Sequence, residues 1–329
     1  MKIVSITTTR ESIPLKNPFK TALRTVYDAE FIRAKIVFED GSESFGEAPA
    51  TKAITGEDLE SIEQNIAEVT PLLLGLGSSE ALQALHASSI GSSSKAALDM
   101  ALFIQEAIGN TKPIETDITI SLGTKEEMLQ EAQNAKEQGI KLFKVKLGSD
   151  IAHAIEVTHT LADQFDEVQL LIDANQAWSV AQSLEYIEGV KDLSSIALIE
   201  QPVTAKDLKG LKTVSQNSPI PILADEAVFS FEDAKHIHQN NIAQMINIKL
   251  MKCGGVSQAI KILEYAREHN ITCMLGSMIE GPISINAAVQ LAFNYRDVIR
   301  FVDLDSPLLY KEPSKLLSFR FDRGEVFVL

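Results

Sequence analysis

The sequence predicts an α/β protein built on a closed barrel of parallel strands, and two observations carry this prediction. After residue 116, apolar strand-sized runs alternate with stretches compatible with amphipathic helices. The polar residues that end five successive runs are spaced 27, 27, 25 and 24 residues apart, and they are Lys146, Asp173, Glu200, Asp225 and Lys249. Each interval fits one strand and one helix, so the repeated unit is βα.

Eight strands are predicted between residues 116 and 305. Most are nearly continuous apolar runs, as parallel strands buried on both faces should be. They are predicted at 117–121, 142–147, 168–172, 196–199, 220–223, 245–248, 271–275 and 299–302. An open, doubly wound sheet is the alternative, but no glycine-rich phosphate motif follows the first strand. Eight evenly spaced units favour closure into a barrel.

The N-terminal third has a different pattern, which predicts a separate α+β unit. Alternating strands are predicted over 3–9 and 31–38, and helices over 59–74 and 95–108. We therefore expect an N-terminal domain at residues 1–115, followed by a barrel domain at 116–305.

Composition excludes several classes of partner. The 329 residues include 45 acidic and 30 basic side chains, a formal net charge of −15, which argues against nucleic acid and anionic membrane surfaces. No apolar stretch approaches the roughly 18 to 20 residues needed to cross a bilayer. The N-terminus lacks a basic region followed by an apolar one, so we expect a cytoplasmic protein with two reduced cysteines.

Three acidic residues end successive predicted strands: Asp173 in Ile-Asp-Ala-Asn, Glu200 in Ile-Glu-Gln-Pro and Asp225 in Ala-Asp-Glu. In a barrel, the C-terminal ends of the strands converge on one mouth, where three carboxylates would repel one another. A hard divalent cation resolves this repulsion, and all-oxygen ligands favour Mg²⁺, or else Mn²⁺, over zinc. Any one of these acids could equally cap a helix. Three together predict a metal site.

Three lysines accompany these acids. Lys144 and Lys146 are two residues apart on one predicted strand, so both face the barrel interior. At about 6.6 Å their repulsion is about 2.5 kcal/mol, which would lower the pKa of one lysine towards about 8.5. Lys249 ends the sixth strand, across the mouth. A metal with two opposed lysines predicts proton abstraction α to a carboxylate, and proton return to the other face inverts that carbon. Elimination needs only one base and an acid.

The order Lys-x-Lys, Asp, Glu, Asp, Lys resembles the enolase superfamily, in particular its muconate-lactonizing-enzyme subgroup. The strings Asp-Ala-Asn-Gln, Glu-Gln-Pro, Ala-Asp-Glu and Lys-Leu-Met-Lys-Cys-Gly-Gly carry this resemblance, which spans essentially the whole chain. It implies a modified TIM barrel of the (β/α)7β type and an α+β capping domain, residues 1–115 completed by 306–329. It also implies that Lys146 and Lys249 are the catalytic bases, acting through a metal-stabilised enediolate.

Further motifs resemble one branch of that superfamily. Asp303 and Asp305, in Asp-Leu-Asp on the eighth strand, are similar to the Asp-x-Asp motif by which dipeptide epimerases bind the substrate's α-ammonium group. Residues 18–26 resemble the capping-domain loop of L-Ala-D/L-Glu epimerases, which implies that Arg24 contacts the glutamate side chain of the substrate. The resemblance also implies a set of residues that line the substrate pocket, namely Lys144, Thr119, Ser277, Met278 and Ile279.

The predicted function is Mg²⁺-dependent epimerisation at the Cα of the C-terminal residue of L-Ala-D/L-Glu or a related dipeptide, in murein-peptide metabolism. A small dipeptide is the expected partner, and a homo-oligomer stays open. The alternatives are an epimerase without glutamate specificity, a catalytically silent metal- or peptide-binding protein, and a lyase or cycloisomerase of the same fold. The last resembles o-succinylbenzoate synthase or muconate cycloisomerase and would not need Asp303 and Asp305.

Overall fold

The computed structural model describes residues 1–20, 25–108 and 111–329. Its first three strands form an antiparallel sheet in the order β1-β2-β3. Their bounds are β1 Ile3–Lys20, β2 Thr25–Phe38 and β3 Glu43–Pro49. The hairpin of β1 and β2 is longer than the predicted strands, and its far end reaches the barrel, where the Leu122 amide donates to the Lys20 carbonyl at 3.3 Å.

Four helices and a short strand follow this sheet. They are α1 Lys52–Thr55, α2 Leu59–Leu73, α3 Ser78–Ala87, α4 Ser92–Leu102 and β4 Ile114–Glu115. The start of α4 lies three residues before the predicted one, because the Glu57 carboxylate accepts hydrogen bonds from the amides of Ser93 (2.8 Å) and Ser94 (3.1 Å). This acceptor satisfies donors that the first turn of a helix leaves free.

Eight parallel strands follow in sequential order, as the periodicity predicts. Their bounds are β5 Ile118–Ile120, β6 Leu142–Lys146, β7 Gln169–Asp173, β8 Ile196–Glu200, β9 Ile222–Ala224, β10 Met245–Lys249, β11 Thr272–Gly276 and β12 Ile299–Asp303. The two edges of this sheet meet, since the Asp117 amide donates to the Val302 carbonyl at 3.1 Å. The predicted α/β barrel is confirmed.

The helices of the barrel are α5 Lys125–Glu137, α6 Ile151–Gln164, α7 Val180–Val190, α8 Leu208–Gln216, α9 Phe231–Gln239, α10 Leu250–Cys253, α11 Val256–Glu268, α12 Pro282–Asn294 and α13 Ser306–Leu309. Seven of the eight strands contribute an apolar side chain to a cluster within the barrel: Leu142, Leu171, Leu198, Leu223, Met245, Met274 and Phe301. The interior is therefore packed, as in other barrels of this type, and ligands can enter only at its ends.

The C-terminal residues contact the N-terminal region at two places, the short strand β4 and the long strand β1. β13 Phe319–Asp322 and β14 Glu325–Val328 form a third sheet in the order β13-β14-β4. The Lys311 amide donates to the Pro14 carbonyl at 2.8 Å, which ties this region to β1 as well. The division into 1–115, 116–305 and 306–329 stays a prediction.

No helix in the described ranges is long and apolar enough to cross a bilayer.

Candidate active site

The mouth of the barrel brings the three predicted metal ligands together. Asp173 and Glu200 are the last residues of β7 and β8 and are paired with each other, and Asp225 directly follows β9. All three side chains are buried. Parallel strands place successive C-terminal residues side by side, so three acids that are distant in sequence become neighbours in space.

The turns after these strands adopt backbone conformations that hold the acids in place. Asn175 and Gln201 have φ of 43° and 36°, in the left-handed region that residues other than glycine seldom adopt. The Asn175 amide donates to Asp173 Oδ1 at 2.8 Å, and Gln201 Oε1 accepts from the Asp225 amide at 2.9 Å. Side chains thus compensate for a strain of about 1 to 3 kcal/mol at each turn.

The two predicted bases lie on β6 and β10, and each contacts one of the outer acids. Lys146 Nζ is 2.5 Å from Asp173 Oδ2, and Lys249 Nζ is 2.9 Å from Asp225 Oδ2. Both lysines are buried to within a few per cent and line one cavity. The structure therefore brings the two predicted bases to opposite sides of one space, with an acid beside each.

Lys144 occupies the centre of the charge cluster. Its ammonium nitrogen lies 2.6 Å from Asp303 Oδ2, 2.7 Å from Glu200 Oε2 and 3.3 Å from Asp173 Oδ2. Burial lowers the pKa of Lys144, but the charges of the three carboxylates outweigh it and hold that pKa well above its usual range. The sequence predicts that repulsion between Lys144 and Lys146 lowers the pKa of one of them. For Lys144 this prediction is wrong, because its carboxylate neighbours raise the pKa instead.

The donor set of the predicted metal site fits a hard divalent cation. Its ligand atoms are all carboxylate oxygens, the type that Mg²⁺ prefers. Burial, followed by the negative charge of Asp173, raises the pKa of Glu200 to about 7. Glu200 Oε2 is close to the Lys144 ammonium but accepts no hydrogen bond from the described residues. A buried carboxylate oxygen that accepts no hydrogen bond, at a strand end next to that of Asp173, is suited to a cation.

The mouth opens into a cavity of about 590 Å³. Its wall includes eight of the ten predicted catalytic and substrate-binding residues, namely Thr119, Lys146, Lys249, Ser277, Met278, Ile279, Asp303 and Asp305, together with Asp225. Lys144, Asp173 and Glu200 lie behind this wall. Arg24 lies outside the described residues. Phe19 of β1 and Ile54 of α1 also line the cavity, so the N-terminal elements cover the mouth.

Asp303 and Asp305 lie on the β12 side of the cavity, next to β5. Asp305 Oδ2 accepts a hydrogen bond from the Thr119 amide at 2.8 Å, and burial, followed by the charge of Asp303, raises the pKa of Asp305 to about 6. A third acid, Asp117, joins them: one carboxylate oxygen of each residue lies within 4.8 Å of the other two. Sequence reasoning missed Asp117, although it is two residues before Thr119 and so faces the same side of the strand.

Further polar residues around the metal ligands were also missed. The side-chain amide of Asn247 donates to Glu200 Oε1 at 2.7 Å, and Lys252 Nζ donates to Asp225 Oδ1 at 2.6 Å. Asn247 could have been found, because it is two residues before Lys249 and shares its face of the strand. Lys252 belongs to the string Lys-Leu-Met-Lys-Cys-Gly-Gly, but its contact with Asp225 could not be predicted, because it depends on how the short helix α10 packs in the folded structure.

Glu280 organises the segment of Ser277, Met278 and Ile279. Its carboxylate accepts a hydrogen bond from the Met278 amide at 2.8 Å and another from the Ser284 hydroxyl. Burial raises the pKa of Glu280 to about 7. No sequence pattern singles out this glutamate, which does not line the cavity and acts on it through the Met278 backbone.

Comparison with known proteins agrees with this geometry. A family profile described as Enolase C-terminal domain-like matches residues 127–328. The chain belongs to this family. The matched range includes Asp173, Glu200 and Asp225.

Individual members of the enolase C-terminal domain-like family are similar over nearly the whole chain. The L-amino acid-D/L-Glu epimerase of Sulfurimonas denitrificans is 53% identical over 99% of both chains. The substrate-liganded L-Ala-D/L-Glu epimerase of Bacillus subtilis has a TM-score of 0.92 at 37% identity, covering 100% of this chain and 97% of that one. A dipeptide epimerase of Enterococcus faecalis, complexed with Mg and L-Leu-L-Tyr, has a TM-score of 0.92 at 29% identity, covering 100% and 98%.

Proposed function

We propose that this protein is a Mg²⁺-dependent dipeptide epimerase that inverts the Cα of the C-terminal residue of L-Ala-D/L-Glu or a closely related dipeptide. The observation that carries the proposal is the cavity in which Lys146 and Lys249 lie on opposite strands of the barrel, with a buried acid beside each. A one-base lyase needs no such pair. The likeness to epimerases over the whole chain supports the same reading.

Asp173, Glu200 and Asp225 are the residues that would hold Mg²⁺. When bound, the ion supplies positive charge that stabilises negative charge on the substrate carboxylate. The surrounding polar groups fix these acids: Asn247 donates to Glu200, and Lys252 donates to Asp225. Groups that orient metal-binding side chains in this way commonly affect metal affinity and activity.

The two lysines carry the proton in opposite directions. One lysine, as the neutral amine, takes the α-proton from one face of the substrate and becomes an ammonium ion. The other, already an ammonium ion, donates a proton to the opposite face of the carbanion, and the Cα is inverted. Asp173 beside Lys146 and Asp225 beside Lys249 stabilise whichever lysine is charged.

The remaining predicted residues position the dipeptide. Asp303 and Asp305 would bind its α-ammonium group, because two buried carboxylates face the cavity beside Thr119. Ser277, Met278 and Ile279 line the cavity and would contact the rest of the substrate. Lys144 lies behind the cavity wall and would act on the substrate through Asp303, to which it donates at 2.6 Å. We assign to Arg24 the contact with a glutamate side chain, on the basis of the loop motif at residues 18–26.

The physiological setting follows from the proposed substrate. We propose that the dipeptide derives from murein peptides and that the reaction takes place in the cytoplasm. Three of the relatives above are named for dipeptides or for D/L-Glu. Assembly into homo-oligomers is compatible with this proposal but does not support it.

Proton NMR of L-Ala-L-Glu with the protein and Mg²⁺ in D₂O tests the proposal. We expect loss of the glutamate α-proton signal together with the appearance of the L-Ala-D-Glu diastereomer. Omitting Mg²⁺ and adding a chelator should stop both changes. An unchanged spectrum, repeated across a mixed dipeptide library, would contradict an epimerase. A new alkene signal in place of the diastereomer would identify a lyase.

A further inference from the structure

Asp117 is a buried acid at the mouth of the barrel to which the proposed function gives no role. Asp117 directly precedes β5 and is fully buried, and neither oxygen of its carboxylate has a hydrogen-bond partner among the described residues. Ile118 pairs with Phe143, so Asp117 lies at the level of Leu142, one residue earlier on each strand. At this level the other seven strands fill the barrel with leucine, methionine and phenylalanine side chains. A buried, unpartnered carboxyl group costs several kcal/mol.

The surroundings of Asp117 are acidic rather than basic. Asp303 and Asp305 are its close neighbours, and Lys144 donates a hydrogen bond to Asp303 but not to Asp117. Burial and then the charges of Asp303 and Asp305 hold the pKa of Asp117 well above its usual range. The three acids therefore share a single lysine, which donates to Asp303 and not to Asp117.

The spacing of the three carboxylates fits a small cationic group. One oxygen from each of Asp117, Asp303 and Asp305 lies within 4.8 Å of the other two. Three points with that spacing have a common centre no more than about 2.8 Å from each, which is the length of a charge-assisted N–H···O bond. A primary ammonium group has three N–H donors for these three acceptors.

We propose that Asp117 is the third carboxylate of the subsite that receives the substrate's primary ammonium group, together with Asp303 and Asp305. This inference rests on the proposed function. Asp303 and Asp305 line the cavity, and the centre of the triangle that they form with Asp117 is the point where an incoming ammonium group satisfies all three acids. A peptide with a free N-terminus binds there, and an N-acylated peptide leaves the acids unpaired.

The amine preference of the protein tests this proposal. It is defined as kcat/KM for L-Ala-L-Glu divided by kcat/KM for N-acetyl-L-Ala-L-Glu, with an inhibition constant used where the acetylated compound is not turned over. Loss of a hydrogen bond to a charged group predicts that Asp117→Asn lowers the preference by about tenfold to a hundredfold, mainly through KM for the free amine.

Two further variants make the test specific. Asp117→Leu places an apolar side chain at the level of the leucine cluster, so we expect it to fold at least as stably as the wild type and to lose the preference as well. Asp99→Asn is the matched control, because Asp99 is an equally buried aspartate that contacts His86 and Ser257 away from the cavity. It should leave the amine preference unchanged. Thermal unfolding of each variant confirms that folded protein is compared.

The outcomes separate this inference from the proposed function. If the wild type epimerises L-Ala-L-Glu and both Asp117 variants keep its amine preference, the inference is wrong and the proposed function stands. If the wild type epimerises no dipeptide, the proposed function fails. If Na⁺ or K⁺ raises the melting temperature of the wild type but not of Asp117→Leu, while the preference is unchanged, the three acids bind an inorganic cation and the inference is overturned.

Discussion

The two sides of the barrel mouth differ in how their charges are balanced. On the side of β6 to β10, Asp173 and Asp225 each contact a lysine ammonium within 3 Å, and Glu200 lies 2.7 Å from a third. On the side of β12 and β5, three carboxylates share that same third lysine, Lys144, which donates to Asp303 at 2.6 Å. Each of the three acids on the first side thus has a lysine ammonium within 3 Å, and we call this the balanced side. On the second side, Asp117 and Asp305 form no ion pair among the described residues, and we call this the unbalanced side.

This difference separates structural from ligand-directed charge. Removing one member of a matched buried pair leaves an uncompensated charge, so the balanced side should respond to mutation with a loss of stability as well as of activity. On the unbalanced side, the missing positive charge must come from a ligand, so mutation should affect substrate binding more than folding.

The largest expected effect is on turnover. Lys146→Ala and Lys249→Ala should each lower the rate of epimerisation by about 10²- to 10⁴-fold, because each removes one of two proton-transfer groups. NMR in D₂O should still show exchange of the α-proton of one epimer in each variant, with opposite epimers exchanging in the two. The exposed Lys261, whose ammonium donates to Gln258 Oε1 at 3.2 Å, provides the control Lys261→Ala, for which we expect near-normal turnover. Near-normal turnover in Lys146→Ala or in Lys249→Ala would contradict the two-base mechanism.

The next effect is on stability. Lys252 is buried and donates to the Asp225 carboxylate and to the Asn247 carbonyl, so Lys252→Met should lower the free energy of unfolding by about 3 to 5 kcal/mol. Denaturant unfolding measures this loss, and Lys261→Met on the exposed surface should change it by less than about 0.5 kcal/mol. Equal stability of the two variants would show that the balanced side does not depend on its internal pairs.

The difference between the two sides of the mouth also explains which site residues could be predicted from the sequence. Strand ends recur at a fixed interval, so Asp173, Glu200 and Lys249 were found from periodicity, and the closed barrel with them. Lys252 and Asp117 were not found, because their roles depend on a helix that folds back and on the register between the first and last strands. Periodicity predicts which residues reach the mouth, whereas charge balance there depends on contacts between elements distant in the chain.

A third prediction concerns Glu280, an acid without a lysine partner. Burial raises its pKa to about 7 in the folded protein, against a usual value near 4.3 when unfolded. The folded state therefore binds a proton more tightly, so the contribution of Glu280 to stability is fully present below about pH 4.3 and is lost as the pH rises through about 7. The loss is about 3 kcal/mol.

Unfolding free energies of the wild type and Glu280→Gln, measured from pH 4.5 to 8, isolate this contribution, because every other titrating group is common to both. The wild type should lose stability relative to Glu280→Gln across that range. A constant difference between the two proteins would show that the Met278 amide and the Ser284 hydroxyl already keep Glu280 ionised in the folded state.

The smallest effect decides which of the two sides accepts a metal ion. Mg²⁺ at one hundred times its dissociation constant should stabilise the wild type by about 2.7 kcal/mol, measured as a shift in unfolding at constant ionic strength. Glu200→Gln should abolish this shift, because it removes charge from the middle acid of the predicted site, whereas Asp303→Asn should retain it. If the shift instead survives in Glu200→Gln and disappears in Asp303→Asn, then Mg²⁺ binds at the unbalanced side, beside Asp117 and Asp305. The acids that lack a lysine would then be the metal ligands, and the paired acids would serve only to hold the lysines in place.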